Sequence, residues 1–315
     1  IGVGYLIIAN LIASIATMLL LLPEWSGYSP RIDIKLLKEI MIYSFPIIIV
    51  GFGGMINDFL SRQMYYRLLS DPLEVLDHEF GVFIANYKLA VLATLFIQVF
   101  KMGAEPFFFS QSKNKDAPET YARVTKIFVI ICCIIFLGIT MNLHFIESLI
   151  AHRNIEYAEG MHIIPILTMA NIFIGIYYNL SIWYKLTNRT MSGAIITLIG
   201  VAITIILNII LVPLYHYTGA SWATFACYLS MLVITYFWGK KHYPVPYEVG
   251  KLVFYLCLVY GMFLIKQFIF TTYQLDGLIP GILSFMMSLI LFIAVVMRFD
   301  RNEMRMLPMI GKYVK

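Results

Sequence analysis

The sequence predicts an all-α membrane protein with about nine transmembrane helices, and its composition and the length of its apolar runs both indicate this class. Of its 315 residues, 60% are hydrophobic and only 13% are charged, and the mean hydropathy is +0.81. A soluble domain carries far more charge on the surface that faces water. The apolar residues form runs of about 20, which as helices rising about 1.5 Å per residue cross about 30 Å of hydrocarbon.

The apolar runs place the transmembrane helices along the chain. The predicted spans are 1–22, 42–60, 80–100, 126–146, 161–184, 193–215, 221–238, 252–273 and 278–297. The first span has no basic segment before it and no small-residue cleavage site, so it is not a signal peptide. We expect instead that the chain is truncated at its N-terminus and lacks earlier helices.

Positive charges alternate between the two sides of the predicted membrane. Most of the 23 Lys and Arg residues lie near 31–38, 101–126, 185–189, 240–251 and 298–315, whereas the opposite loops are acidic. Loops rich in Lys and Arg stay in the cytoplasm, so these loops and the C-terminus are predicted to be cytoplasmic. Their dispersed charge suits the headgroups of membrane lipids as partners and offers no single patch for a nucleic acid.

Signatures of metal binding, disulfides and catalysis are missing from the sequence. The four cysteines lie inside predicted spans without metal-binding spacing, and the six histidines are scattered over different segments. No P-loop, GxSxG or HExxH motif occurs. We therefore expect no metal, no cofactor and no enzymatic activity.

The second span, SFPIIIVGFGGMINDFLSR, combines residues that weaken a helix with two opposite charges. Pro46 and three glycines allow bending or close packing, which is typical of transporter helices. Asp58 and Arg62 are four residues apart, so they share a helix face and can pair near the outer end of the span. The two side chains either line a cavity or form an interfacial ion pair that snorkels toward water.

The third span places Lys88 within the membrane. A buried ammonium costs on the order of 3 kcal/mol unless water or a partner reaches it. We therefore expect Lys88 to face an aqueous cavity or a carboxylate. Glu105, followed by Pro106, is expected to mark the end of this helix at the cytoplasmic interface.

The fifth span carries amide and aromatic side chains at helical spacing. The residues that share this face are Asn171, Gly175, Tyr178, Asn179 and Trp183. Amides suit sugar hydroxyls, and aromatic rings suit the apolar faces of sugars. The same residues also suit simple packing between helices, and the sequence leaves both interpretations open.

Four runs carry a resemblance to a known family: FPIIIVGFGGMIND, NYKLAVLATLFIQVFKMGAEPFFF, GIYYNLSIWYKLTNRT and YTGASWATFACYLSM. Together they resemble the second half of the polysaccharide and O-antigen flippases, within the multidrug, oligosaccharidyl-lipid and polysaccharide exporter superfamily. The resemblance covers nearly the whole chain. Relatives often have an acidic residue just before the arginine of the second span, where this chain has Ser61, so any role for that position moves to Asp58.

The resemblance implies a flippase-like, MATE-like bundle of helices in the bacterial cytoplasmic (inner) membrane, acting as a monomer. It implies transport of undecaprenyl-diphosphate-linked oligosaccharide, such as an O-antigen or capsule repeat unit, by alternating access. The implied divisions are 1–22 as the last helix of the first bundle, 23–41 as a cytoplasmic linker, 42–240 as the second six-helix bundle, 241–297 as two extra transmembrane helices and 298–315 as a cytoplasmic basic tail.

The implied substrate assigns roles to the candidate residues. Lys88 and Arg62 would contact the diphosphate or acidic sugars, and Asp58 would tune Arg62 or take part in coupling to H⁺ or Na⁺. The glycan route would be lined by Asn171, Tyr178, Asn179 and Trp183.

Two other interpretations remain open from the sequence. A cation-coupled multidrug exporter of the MATE type would share the architecture and would need an acidic cavity. A polytopic glycan polymerase or acyltransferase is less favoured, because it would need a large outer loop or a catalytic cluster.

Overall fold

The computed structural model describes residues 4–25, 33–143, 145, 155–275 and 277–301, without the side chains of 6, 25, 53–62, 155–157 and 278. Within these residues every regular element is a helix, which confirms the all-α class. The α-helices are α1 (Gly4–Leu21), α2 (Ile34–Leu68), α3 (Leu73–Ala90), α4 (Leu92–Gln111), α5 (Ala117–Thr140), α6 (Ile164–Leu180), α7 (Ile182–Leu186), α8 (Thr190–His242), α9 (Val249–Tyr273) and α10 (Leu278–Phe299). Short 3₁₀ helices, Leu22–Trp25 and Ile155–Ile163, follow α1 and precede α6.

Seven helical segments of the described chain are long and apolar enough to cross a membrane, so the chain is a membrane protein. They contain α1, α4, α5, α6 with its flanking turns, α8, α9 and α10. The 53 residues of α8 include both spans predicted at 193–215 and 221–238. The total of nine spans stays a prediction, because the span predicted at 42–60 includes side chains outside the described residues.

The longest helix, α8, folds back on itself at His216. The backbone of His216 leaves the helical region, with φ 48° and ψ −131°. Beyond this point Cys227 Sγ donates a hydrogen bond to the carbonyl of Gly200 at 3.3 Å, so the two halves pack side by side. A Cβ on Gly219 would lie 2.2 Å from the carbonyl oxygen of Leu211, so only glycine fits this close approach at the turn.

The chain divides into two units, Ile1–Tyr43 and Ser44–Lys315. The first unit contains α1, which is apolar along its length, and the beginning of α2. The second unit contains the rest of α2 and the helices from α3 to α10. The division falls close to residue 42, where the sequence places the start of the second bundle.

The second unit is built around α6, whose side chains are almost all buried. This helix begins next to Pro165, which suits the first turn because it has no N–H to leave unpaired. It packs against α3, α4, α5 and α8, while α9 and α10 pack against α5 and against each other. A Cβ on Gly175 would lie 2.8 Å from Phe128 Cζ, so this glycine lets α6 and α5 approach closely. The helix that carries the predicted amide and aromatic face is therefore the centre of the bundle.

A buried ion cluster joins α5, α9 and α10 at one end of the second unit. Lys126 Nζ lies 2.6 Å from Glu248 Oε1 and 3.2 Å from Asp300 Oδ1. Lys251 Nζ lies 2.8 Å from the same Asp300 oxygen, and Tyr255 donates to the other one. Three regions that the charge pattern assigns to one side of the membrane thus meet at one end of the bundle.

The lysines lower the pKa of both carboxyl groups in this cluster. Hydrogen bonds from Lys126 and Lys251 lower the pKa of Glu248 below its usual 4.5. Burial alone would raise the pKa of Asp300, but hydrogen bonds from Lys251, Tyr255 and Lys126 outweigh it and hold that pKa below 3.8. Because each pKa is lower in the folded chain, the stabilisation is complete above the unfolded pKa and disappears as the pH falls through the folded pKa.

We expect Lys126→Met to lower the free energy of unfolding by about 2–3 kcal/mol at pH 7, because it removes one partner of the buried Asp300 carboxylate while Lys251 remains. The loss should shrink as the pH falls from 7 to about 2, because the carboxyl groups become protonated as the pH passes through their lowered pKa values. Thermal unfolding in detergent, followed by circular dichroism at both pH values, measures the effect. Lys113→Met in the exposed α4–α5 loop is the matched control. An equal loss at both pH values would contradict an electrostatic cause.

Candidate functional site

A narrow cleft with a free volume of about 10 Å³, room for about one water molecule, lies between α4 and α6, and we name it the lysine cleft. Its polar lining consists of Lys101 and Glu105 from α4 and of Tyr178 and Asn179 from α6. Ile97, Phe100 and Phe108 are among its apolar walls. Three residues of the face predicted on the fifth span, Gly175, Tyr178 and Asn179, thus line one site.

Lys101 lies in the middle of α4, a helix long enough to span the membrane. Its Nζ is 4.2 Å from the centroid of the Tyr178 ring, a cation–π contact worth about 2 kcal/mol when water is excluded. The sequence interpretation assigned Lys101 to a cytoplasmic loop and ended the helix at Glu105. Lys101 lies inside a helix and not in a loop, and the helix does not end at Glu105, because α4 continues through Pro106 to Gln111.

The charges around the lysine cleft leave an excess of one positive charge. Glu105 Oε1 lies 2.5 Å from Lys185 Nζ, which reaches the cleft from α7. Lys101 is one helical turn from Glu105 on α4 and, within the described residues, makes no ion pair of its own. Its ammonium is therefore available to an anionic ligand. The spacing of Lys101 and Glu105, four residues apart inside an apolar run, is the sequence signal that could have revealed this site.

The side chain of Asn179 is buried, and its amide oxygen accepts no hydrogen bond among the described residues. Its Nδ2 donates to the carbonyl of Gly175 at 3.1 Å, one turn earlier on α6. Its Oδ1 is buried and accepts no hydrogen bond from the described residues. An unsatisfied buried acceptor costs about 1–3 kcal/mol. A ligand hydroxyl or a water molecule that entered the lysine cleft could supply the missing donor.

Asn171 does not line the lysine cleft, and its side chain instead bonds to the backbone of a neighbouring helix. Helices α3 and α4 meet at Val91, where the Thr94 amide bonds to the Val91 carbonyl in a tightened turn. Asn171 Nδ2 donates to the carbonyl of Ala90 at this break, at 3.1 Å. A backbone carbonyl at a helix break in hydrocarbon needs such a partner. Of the two interpretations of this residue, packing between helices is the one that its contacts support.

Trp183 lies away from the lysine cleft. It belongs to α7, beyond the break at Ser181, and lines a second cleft next to α8. Tyr178 and Trp183 are five residues apart, which is about 140° around an ideal helix. The predicted amide and aromatic face is therefore divided between two clefts.

Lys88, the cationic residue proposed from the third span, lines neither cleft. Lys88 is exposed in the last turn of α3 and pairs with no acidic side chain among the described residues. Asp58 and Arg62 lie on α2, and their side chains are outside the described residues.

Cysteine and metal chemistry adds nothing to the site. The four cysteines are free thiols. Among the described residues, no three His, Cys, Asp or Glu side chains lie together in a way that could hold a metal ion.

The fold and the lysine cleft define a helical membrane protein with a positively charged cleft between its helices. The chain matches no known protein family, no curated protein and no solved structure.

The two asparagines of α6 should respond differently to leucine. We expect Asn171→Leu to lower the free energy of unfolding by about 1–3 kcal/mol, because the Ala90 carbonyl loses its partner. Asn179→Leu should change stability by less than about 1 kcal/mol, because it removes an unsatisfied oxygen together with one hydrogen bond. Thermal unfolding of both variants in detergent is the measurement. Equal destabilisation by the two changes would contradict the separate roles.

Proposed function

We propose that this chain is part of a flippase that passes undecaprenyl-diphosphate-linked oligosaccharide across the bacterial cytoplasmic (inner) membrane by alternating access. The proposal includes a MATE-like bundle, nine spans in this chain, a cytoplasmic C-terminus and a monomeric protein. It draws on the resemblance of the sequence to polysaccharide and O-antigen flippases. The observation that carries it is the lysine cleft, whose lining includes an ammonium with no ion pair among the described residues and a buried, unsatisfied amide oxygen.

The chemistry of the lysine cleft suits the two parts of such a substrate that cannot enter hydrocarbon. A diphosphate needs cations, which Lys101 supplies in the middle of α4. Sugar hydroxyls need acceptors, which Asn179 Oδ1 supplies. The polyprenyl tail needs neither and can remain in lipid throughout transport.

The remaining candidates belong to the outer part of the proposed path. Lys88 and Arg62 would receive the phosphate groups after they leave Lys101, and Asp58 would tune Arg62 or take part in coupling to H⁺ or Na⁺. The helix breaks at Val91 and Ser181 lie on the helices that form the lysine cleft. Interrupted helices next to a binding site are common in transporters, where the breaks serve as hinges.

A MATE-type multidrug exporter is the alternative within the same architecture. Hydrophobic cations would require an acidic cavity to offset their desolvation. In the lysine cleft the one carboxylate, Glu105, is already paired with Lys185, and the excess charge is positive. The electrostatics therefore favour an anionic substrate.

Complementation tests the proposal. The gene that encodes this chain is expressed in cells that lack their own O-antigen flippase and that make its native glycan, and surface polysaccharide is scored on a gel. We expect the wild type to restore the ladder. We expect Lys101→Met to reduce it at least tenfold, because a cation in a desolvated site contributes about 1.4 kcal/mol or more to substrate binding.

Lys113→Met is the control for the lysine change, because Lys113 is exposed between α4 and α5. Lys88→Met tests the outer step in the same assay, and full transport by that variant would remove Lys88 from the path. A well-expressed wild type that restores no ladder, or a Lys101→Met variant as active as Lys113→Met, would contradict the proposal.

A further inference from the structure

A second polar cluster joins α2, α3 and the turn of α8, at the end of the second unit that the charge pattern places outside the membrane. Glu79 Oε2, on α3, accepts a hydrogen bond from the hydroxyl of Tyr65 near the end of α2. The same oxygen lies 2.9 Å from His216 Nδ1, at the turn of α8. A carboxylate can only accept, so the imidazole nitrogen is the donor. We name Tyr65, Glu79 and His216 the outer cluster.

The Tyr65 hydroxyl depends on Glu79 because the rest of this side chain is buried. Tyr65 packs in one apolar group with Leu76 of α3 and with Val212 and Ala220, which lie on either side of the α8 turn. Burial raises the pKa of the Tyr65 hydroxyl, and the hydrogen bond to Glu79 raises it further, so the group stays protonated and remains a donor. Without the carboxylate, a buried hydroxyl would lose its acceptor.

The α8 turn is strained at the residue that contacts Glu79. With φ 48° and ψ −131°, His216 has a backbone conformation that glycine adopts freely and histidine does not. Such residues persist where their surroundings hold them, and they are common in switch regions. A further contact holds the turn, since the Thr218 hydroxyl lies 2.8 Å from His162 Nε2 in the segment before α6. The turn is therefore fixed to the bundle on one side and to Glu79 on the other.

Water can reach the outer cluster, so its hydrogen bonds can open. The side chains of His216 and Glu79 are 38% and 24% exposed. In contrast, the ion pair of Lys126 and Asp300 is buried and would leave unpaired charges if it opened. Pro46 interrupts the hydrogen bonds inside α2, which allows this helix to bend.

We propose that Glu79 is a latch that holds the outer end of α2 against the α8 turn, and that α2 bends away from the bundle when the latch is released. The latch needs no transported substrate. Its use as the outer gate of an alternating-access transporter rests on the proposed function.

Hydrogen–deuterium exchange of the full chain in detergent, followed by mass spectrometry, measures the opening of α2 at residues 63–68. We expect Glu79→Leu to speed exchange there about tenfold or more, because it removes the acceptor of both donors. Glu74→Leu, at an exposed position in the first turn of α3, is the matched control and should change the rate less than about twofold.

Two neighbouring tyrosines give a second matched pair. Tyr65→Phe removes only the hydroxyl and should also speed exchange at 63–68 about tenfold. The Tyr66 hydroxyl donates to Asp77 Oδ1 at 3.0 Å, but in an exposed position where water replaces the bond. Tyr66→Phe should therefore change the rate less than about twofold.

His216→Gly separates a latch from a turn that is merely strained. Glycine relaxes the backbone, so without a latch the exchange of α2 should slow or stay unchanged. The latch predicts exchange at 63–68 about threefold faster or more, because Glu79 loses its second donor. Glu79→Gln, which keeps the side-chain shape, replaces Glu79→Leu if the latter loses helicity by circular dichroism.

Three results would overturn the latch. They are a Glu79 variant no faster than Glu74→Leu, a Tyr66→Phe variant as fast as Tyr65→Phe, and unchanged or slower exchange of α2 in His216→Gly. Because the exchange measurement requires no substrate, failure of the complementation assay would leave its outcome unaffected.

Discussion

Hydrocarbon offers no hydrogen bonds, and this single constraint organises the molecule. Every backbone polar group within a span must find its partner inside the protein. The helices satisfy it along their length, and their hydroxyl side chains bond back to carbonyls one turn earlier, as Thr197 and Thr204 do on α8. Where α3 gives way to α4, the Asn171 amide supplies the bond that the helix no longer makes. At this break a polar residue on the neighbouring helix therefore supplies the missing hydrogen bond.

The same constraint makes the polar groups that remain unsatisfied an indication of where a ligand could bind. In a medium without water, an unpaired acceptor or cation costs more than almost any packing contact returns. Asn179 Oδ1 carries such a cost, and Lys101, which makes no ion pair among the described residues, lines the same cleft. A ligand that brings both an anion and hydroxyl groups would relieve both. The lysine cleft is thus one place where a ligand would supply hydrogen bonds and charge that the described residues do not.

The sequence predicted the all-α fold and most helices well, because apolar runs of membrane length leave few alternatives. It ended this helix too early and so placed Lys101 in a loop, because Glu105 and Pro106 are typical of a helix end although α4 continues to Gln111. Helix periodicity brought Tyr178 and Asn179 together correctly but added Trp183, which lies about 140° from Tyr178 on an ideal helix. Neither the break at Ser181 nor the unsatisfied state of Asn179 Oδ1 has a sequence signature, since both depend on which helices become neighbours.

The most direct test of a substrate site in the lysine cleft is photo-crosslinking of the full chain with a photoactivatable undecaprenyl-diphosphate-linked sugar, followed by mass spectrometric mapping of the labelled residues. The structure predicts label on α4 and α6 near Lys101 and Asn179, which excess unmodified substrate removes. Label confined to α9 and α10, or label that the unmodified substrate does not displace, would contradict a substrate site in this cleft.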